Sequence, residues 1–362
     1  MPERHPAAHE NAQRFTERLG IRHPILLGAF GGLSSVELTA AVSELGGLGS
    51  YGLYGYDAAR IAETAAALRA ATNRPFALNL WLPLATEAER RAQRDDAVFA
   101  DAAAALRGFY DELDLPLPDR PDWFLPSFDE QWAAVLEARP AVASFVFGMP
   151  PADVVTSARE LGITVVGTAT TVDEAVALAS GGVDAIIATG PEAGGHRVSF
   201  LRGAEASLVG SISLIPQVVD AVDVPVIAAG GIADRRGVAA AFALGASAAL
   251  AGTAFLRTRQ SAANDAHRSA ITSTPAHGTV LTRAMSGRLA RGAPNRAMRT
   301  IEERRAIAPF PVQNWLTGRF RAEAGRRNLG ELQSLWMGQS APLAVREDAS
   351  DVFAELVAGV PA

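Results

Sequence analysis

The chain has 362 residues, of which 49% are hydrophobic and 20% charged, with a net charge of −6 at pH 7. This composition supplies a large core, excludes a disordered chain, and offers no basic footprint for nucleic acid. Two absences narrow the chemistry further: there is no cysteine, and all 33 basic residues are arginine. Disulfides, thiolate metal sites, Schiff-base catalysis, pyridoxal phosphate and a P-loop lysine are therefore excluded.

Six histidines remain for acid–base work, and His5 and His9 fall in a polar N-terminal stretch read as a loose tail. That stretch (MPERHPAAHENAQRF) lacks the apolar run of a signal sequence, and no segment approaches twenty uninterrupted apolar residues. A cytoplasmic protein without a membrane or nucleic-acid partner is expected, and no metal site.

From Pro24 the chain alternates strands and helices. Pro24–Gly28 is a short apolar run followed by Ala29-Phe30-Gly31-Gly32, and Ser34-x-x-Glu37 reads as a capping box opening a helix. A second strand near Leu48–Leu53 leads to a helix N-capped by Asp57. The third, Pro75–Trp81, carries Asn79 at its end. Residues 84 to about 140 break the rhythm, first Ala-rich and charged and then Pro-rich. They predict an enlarged helical connection able to cover a site. Strands resume at Ala141–Phe147, Ile163–Val166, Asp184–Ala188, Pro225–Ala229 and Ala246–Ala251.

Eight strands, apolar throughout rather than alternating and each followed by a helix, predict parallel strands covered on both faces. The fold class is α/β, a closed (β/α)₈ TIM barrel, since no Gly-x-Gly-x-x-Gly follows the first strand. The expected organisation is an N-terminal segment (1–23), a barrel (24–257) with the insertion, and a last barrel helix plus C-terminal helical subdomain (258–362). The Arg-rich segments Thr282–Arg288 and Asn314–Phe320 read as solvated faces, with phosphate recognition as the alternative. His267 and His277 are expected at the surface, and His23 in a structural role at the barrel's bottom.

Barrel enzymes place their chemistry at the C-terminal strand ends. Here those ends are rich in glycine, and small residues let backbone N–H groups approach a ligand. Gly230-Gly231 and Gly252-Thr253, after the seventh and eighth strands, form the expected phosphate site. A phosphorylated cofactor on a lysine-free barrel points to flavin mononucleotide (FMN), with Gly28, Ala29, Asn79, Thr189, Gly194 and Gly195 as further cofactor contacts. The loop Thr189–Arg197 then presents His196 as the catalytic residue, and Arg197 as a structural one.

Pro24–Gly32, Asn79, Glu192-Ala-Gly-Gly-His196-Arg197, Pro225–Ile232 and Gly252-Thr253 together resemble the nitronate monooxygenases, a family of FMN-dependent barrels that includes a flavin-dependent enoyl reductase. Leu335–Gln339 is similar to a segment of class I members. The resemblance implies oxidation of alkyl nitronates by O2 to a carbonyl compound and nitrite. His196 would hydrogen-bond the nitro group or take the α-proton of a neutral nitroalkane.

The chain also departs from the family pattern. Thr189 stands where a Gln is usual, Leu27-Gly28-Ala29-Phe30 replaces a Gln-x-Pro-Met run, and Val198 replaces a Gly. Two alternatives therefore stay open: an NAD(P)H-dependent FMN reductase of enoyl thioesters or quinones, and a flavin-binding protein with reduced or lost catalysis. The expected partners are a small-molecule substrate and O2, and a homodimer is left open.

Overall fold

The computed structural model of the protein describes residues 8–361. Its strands in chain order are β1 (Ile25–Leu27), β2 (Gly49–Gly52), β3 (Phe76–Trp81), β4 (Val142–Val146), β5 (Thr164–Ala169), β6 (Ala185–Thr189) and β7 (Gly195–His196). β8 (Val226–Ala229), β9 (Ala248–Ala251), β10 (Val280–Thr282), β11 (Ala290–Ala293) and β12 (Leu335–Trp336) complete the set.

Eight of these form one parallel sheet in the order β1-β9-β8-β6-β5-β4-β3-β2. Its two ends meet where Leu26 bridges Leu48, with the Leu27 N–H donating to the Leu48 carbonyl at 2.9 Å and the Leu48 N–H to the Ile25 carbonyl at 3.0 Å. The eight-strand (β/α)₈ prediction matches this arrangement. The strands are apolar on both sides because both sides are covered. Ile25 and Leu27 face Leu38 and Val42 of the helix Val36–Glu44, whereas Leu26, Leu48, Val142 and Ile227 meet inside the barrel.

The barrel's lower end is closed by the helix Ala8–Leu19. Phe15 and Leu19 from it, and Ile21 beyond it, join the inner layer. The expected loose tail is thus a core element from residue 8 onward, because its apolar residues have the barrel interior to bury against. His9 belongs to this helix, and His5 lies outside the described residues. His23 sits beside the barrel's lower rim with its ring edge toward Phe353, at 5.8 Å between centroids.

One cap differs from its sequence reading. Ser35, not Ser34, caps the helix Val36–Glu44 through the Leu38 N–H. The Ser34 hydroxyl instead ties the Phe30 loop to Gly52, accepting from both backbone N–H groups.

The insertion and the C-terminal part share a core. Helix Asp96–Glu112 packs Phe99, Leu106, Phe109 and Tyr110 against Leu316 and Phe320 of helix Val312–Arg326. Phe109 stacks on Phe320 at 5.0 Å, and the Tyr110 hydroxyl donates to the Leu316 carbonyl at 2.7 Å. The C-terminal part is not purely helical, for β10, β11 and β12 form an antiparallel sheet that β7 joins.

The helix filling the eighth barrel position is Ala349–Val357, near the end of the chain. Its Val352, Phe353 and Leu356 lie in the main core, and it packs beside helices Val36–Glu44 and Arg235–Ala243. Residues 258–348 thus form an excursion between the last barrel strand and the last barrel helix, and the excursion folds over the mouth.

Candidate active site

A cavity of about 840 Å³ occupies the mouth, floored by the inner-layer side chains Leu26, Ala77, Val142 and Val166. Gly28, Ala29, Asn79 and Thr189 line it, as do Gly194, Gly195 and His196 from the β6–β7 loop and strand. Gly230, Gly231, Gly252 and Thr253 line it from the ends of β8 and β9. All the predicted site residues therefore share one cavity.

The glycines there answer to close approach. Gly230 and Gly231 have φ of +100° and +76°, a region L side chains avoid. A Cβ at Gly230 would lie 3.1 Å from Ser211 Oγ, and one at Gly194 only 2.6 Å from the Met337 carbonyl carbon. The Leu335–Gln339 segment lies directly on the Glu192–Gly195 loop: the Gln339 N–H donates to the Glu192 carbonyl at 2.9 Å, and the Gly338 N–H to Thr253 Oγ1 at 3.0 Å. Thr253 thus keeps its hydroxyl proton for a ligand.

Asn79 lies inside β3 rather than at its end. Its Nδ2 donates to the Ser144 carbonyl and hydroxyl at 3.2 and 3.0 Å, which leaves Oδ1 for the cavity. Thr189 ends β6, and its carbonyl accepts from Arg197 Nη2 at 2.8 Å. Arg197 is almost fully buried, and its Nη1 donates to the Gly190 carbonyl at 2.6 Å, so its guanidinium shapes the loop from behind.

His196 is held by pairing across two strands, lying opposite Ala290 of β11. Its Nε2 is 2.8 Å from Ser286 Oγ. The Ser286 hydroxyl donates to the Arg288 carbonyl at 3.0 Å and accepts the Arg288 N–H at 3.2 Å. In the tautomer that leaves the Ser286 proton on the Arg288 carbonyl, Ser286 accepts from His196 Nε2–H, and Nδ1 is a lone pair with no partner among the described residues. Burial, then the positive charges of Arg288 and Arg321, push the imidazole pKa from 6.5 down to about 3. The ring is therefore neutral at physiological pH.

Aromatic rings enclose it. Trp81, Trp336 and Phe147 lie 4.9, 5.6 and 6.2 Å from the His196 ring, and Tyr54 rests on Trp81 at 4.3 Å. Phe147 has φ of +65°, a strained conformation for a bulky residue and one that clusters at functional sites. The Arg288 guanidinium lies over Phe147 and Phe310, at 4.4 and 4.0 Å from their centroids, and pairs with Glu89 of the insertion at 2.7 Å. This buried pair ties the insertion to the C-terminal excursion above the site.

His267 is buried, contrary to expectation. Its Nε2 donates to the Trp336 carbonyl at 2.9 Å, and burial lowers its pKa to about 4. The polar sequence around it hid a helix whose one inward turn meets β12. His277 is exposed, as expected.

The enclosing residues Tyr54, Trp81, Phe147, Phe310 and Trp336, and the polar Ser286, Arg288, Asn314 and Arg321, were not assigned from sequence. Trp81 had a usable signal, since it stands two residues after Asn79 and a strand repeats its face every second residue. Ser286, Arg288 and Asn314 sit in the two Arg-rich segments read as solvated faces. In the fold, Arg288 and Arg321 point inward.

The model of the nitronate monooxygenase family matches residues 12–359. The chain belongs to the nitronate monooxygenase family. Consistent with that, it is 36% identical over 349 residues to a probable nitronate monooxygenase of Staphylococcus aureus, covering 96% of this chain and 97% of that one. Its fold is similar to that of a nitroalkane oxidase from Streptomyces ansochromogenes, with a TM-score of 0.82, 35% identity and coverage of 93% and 96%. It is also similar to FabK from Thermotoga maritima, with a TM-score of 0.74, 28% identity and coverage of 95% and 94%. Family membership makes the chain an oxidoreductase. Among the described residues no helix is long and apolar enough to cross a membrane.

Proposed function

We propose that the chain is an FMN-dependent monooxygenase that oxidises alkyl nitronates with O2 to a carbonyl compound and nitrite. The observation that carries this reading is His196: a neutral, buried imidazole anchored through Nε2 to Ser286, walled by aromatic rings and set in a positive field.

The residues present fit FMN. A phosphate would be met by backbone N–H groups at Gly230, Gly231 and Gly252 and by the Thr253 hydroxyl, with Gly230 and Gly231 held at positive φ and a Cβ at Gly230 crowding Ser211. Asn79 Oδ1 offers an acceptor to the ring or ribityl chain, and the apolar inner layer gives the ring a dry floor. When bound, FMN supplies one-electron redox chemistry and reactivity with O2.

The chain's own residues bind, orient and deprotonate. Arg288 is compensated by Glu89, whereas among the described residues no carboxylate offsets Arg321, so the region beside His196 favours an anion. A nitronate is such an anion and needs no base. For a neutral nitroalkane, His196 Nδ1 takes the α-proton as the nitronate's negative charge forms beside it and stabilises the imidazolium, and Ser286 holds the ring while its charge changes. Trp81, Phe147 and Trp336 exclude water from the reacting carbon.

A flavin reductase on the same barrel is the second reading, favoured by the likeness to FabK. Anaerobic mixing of the FMN-loaded protein with NADH and NADPH separates the two. Slow or absent bleaching is expected, and rapid bleaching overturns the first reading.

A further inference from the structure

Tyr54, Asn314 and Arg321 form a hydrogen-bonded chain along the cavity wall whose polarity is fixed by chemistry. A guanidinium can only donate. Arg321 Nη2 lies 2.9 Å from Asn314 Oδ1, so that atom is the acceptor and the amide's orientation follows. Asn314 Nδ2 must then donate to the Tyr54 hydroxyl oxygen, at 2.8 Å. The phenol's own proton has no acceptor among the described residues, and Tyr54 lines the cavity.

Arg321 is itself an unusual group. Its Nη1 donates to Ser334 Oγ at 2.7 Å, its Nε has no partner among the described residues, and burial lowers its pKa to about 10. The chain therefore runs from an uncompensated buried cation through an amide dipole to a phenol, each bond making the next donor stronger. Burial also keeps the phenol protonated, with its pKa raised to about 12. Tyr54 and His196 both pack on Trp81, at 4.3 and 4.9 Å between ring centroids, and all three line the same cavity.

We propose that Tyr54 is a catalytic residue that donates its hydroxyl proton as a hydrogen bond to an anionic oxygen of the bound nitronate, with Asn314 and Arg321 as positioning residues that aim it. The inference rests on the function proposed above. It makes recognition two-pointed, with a nitro oxygen at Tyr54 and the α-carbon at His196.

The decisive variant is Asn314→Asp. It is isosteric and gives Arg321 an ion-pair partner, so a merely structural role tolerates it. A carboxylate cannot donate, however, so it accepts the Tyr54 proton and turns it away from the cavity. Tyr54→Phe removes the donor outright. On the FMN-loaded protein, KM for ethyl nitronate is read in steady state and the dissociation constant for inorganic nitrite by calorimetry. Both variants are expected to weaken each constant about tenfold, the scale of one hydrogen bond to a charged group, with the double variant no worse than either alone.

An Asn314→Asp variant with wild-type constants, an additive double variant, or a wild type that binds no nitrite overturns the proposal. If the wild type binds nitrite with this pattern but releases none from ethyl nitronate, the proposed function fails while the donor assignment stands.

Discussion

His196 Nε2 lies 2.8 Å from Ser286 Oγ, and this one contact leaves Nδ1 as the nitrogen of the imidazole free to act. Ser286 takes part because its own proton is committed to the Arg288 carbonyl. Replacing it by Ala removes the acceptor and frees the ring to change tautomer. Ser286→Ala is expected to lower kcat for a neutral nitroalkane about tenfold and to leave kcat for the preformed nitronate nearly unchanged. Oxygen-consumption kinetics on both substrates check this, and equal losses on the two would contradict it.

His196→Asn keeps a polar side chain of similar reach but removes the base. The variant should purify with FMN and lose most activity on neutral nitroalkanes. Flavin absorbance and nitrite release are the measurements, and full nitroalkane activity would contradict the role assigned.

Glu89 and Arg288 tie the insertion to the excursion over the mouth, and both side chains are about nine-tenths buried. Glu89→Ala leaves a buried guanidinium without its counter-charge, which typically costs about 3–5 kcal/mol. A fall of that size in unfolding free energy by urea titration is expected. Glu89→Gln, which still accepts a hydrogen bond, should lose less. A loss below about 1 kcal/mol for the alanine variant would place the pair among weak surface contacts.

Acid should destabilise the protein through two histidines. Burial lowers the pKa of His196 to about 3 and that of His267 to about 4, both below the ordinary 6.5. As pH falls below about 6.5, the unfolded chain takes up these protons and the folded chain does not, so stability falls. Each contributes a slope of up to about 1.4 kcal/mol per pH unit until its folded pKa is reached. His267→Gln, which keeps a donor for the Trp336 carbonyl, should remove one histidine's share between about pH 6.5 and about pH 4. Identical slopes in variant and wild type would contradict the burial argument.

The barrel was legible because parallel strands covered on both faces leave uninterrupted apolar runs, as in Ala185-Ile-Ile-Ala188 and Val226-Ile-Ala-Ala229. The strand-end residues, from Gly28 to Thr253, were legible as well, since the fold puts all those ends on one rim. The cover was not. Arg288 and Arg321 carry the same letters as surface arginines, and only the tertiary structure buries them against Glu89 and Ser334. His267 was misjudged for the same reason, because a polar helix with one inward turn reads as solvated. The pairing of His196 with Ala290 joins residues nearly a hundred positions apart, and no local pattern encodes it.

Nitrite release from ethyl nitronate in air-saturated buffer, by the purified FMN-loaded protein without any pyridine nucleotide, decides whether the chain oxidises nitronates. Nitrite production with matching O2 uptake, and no requirement for NADH or NADPH, is expected. No nitrite under these conditions, with flavin rapidly bleached by NADH or NADPH under anaerobic conditions, would contradict it.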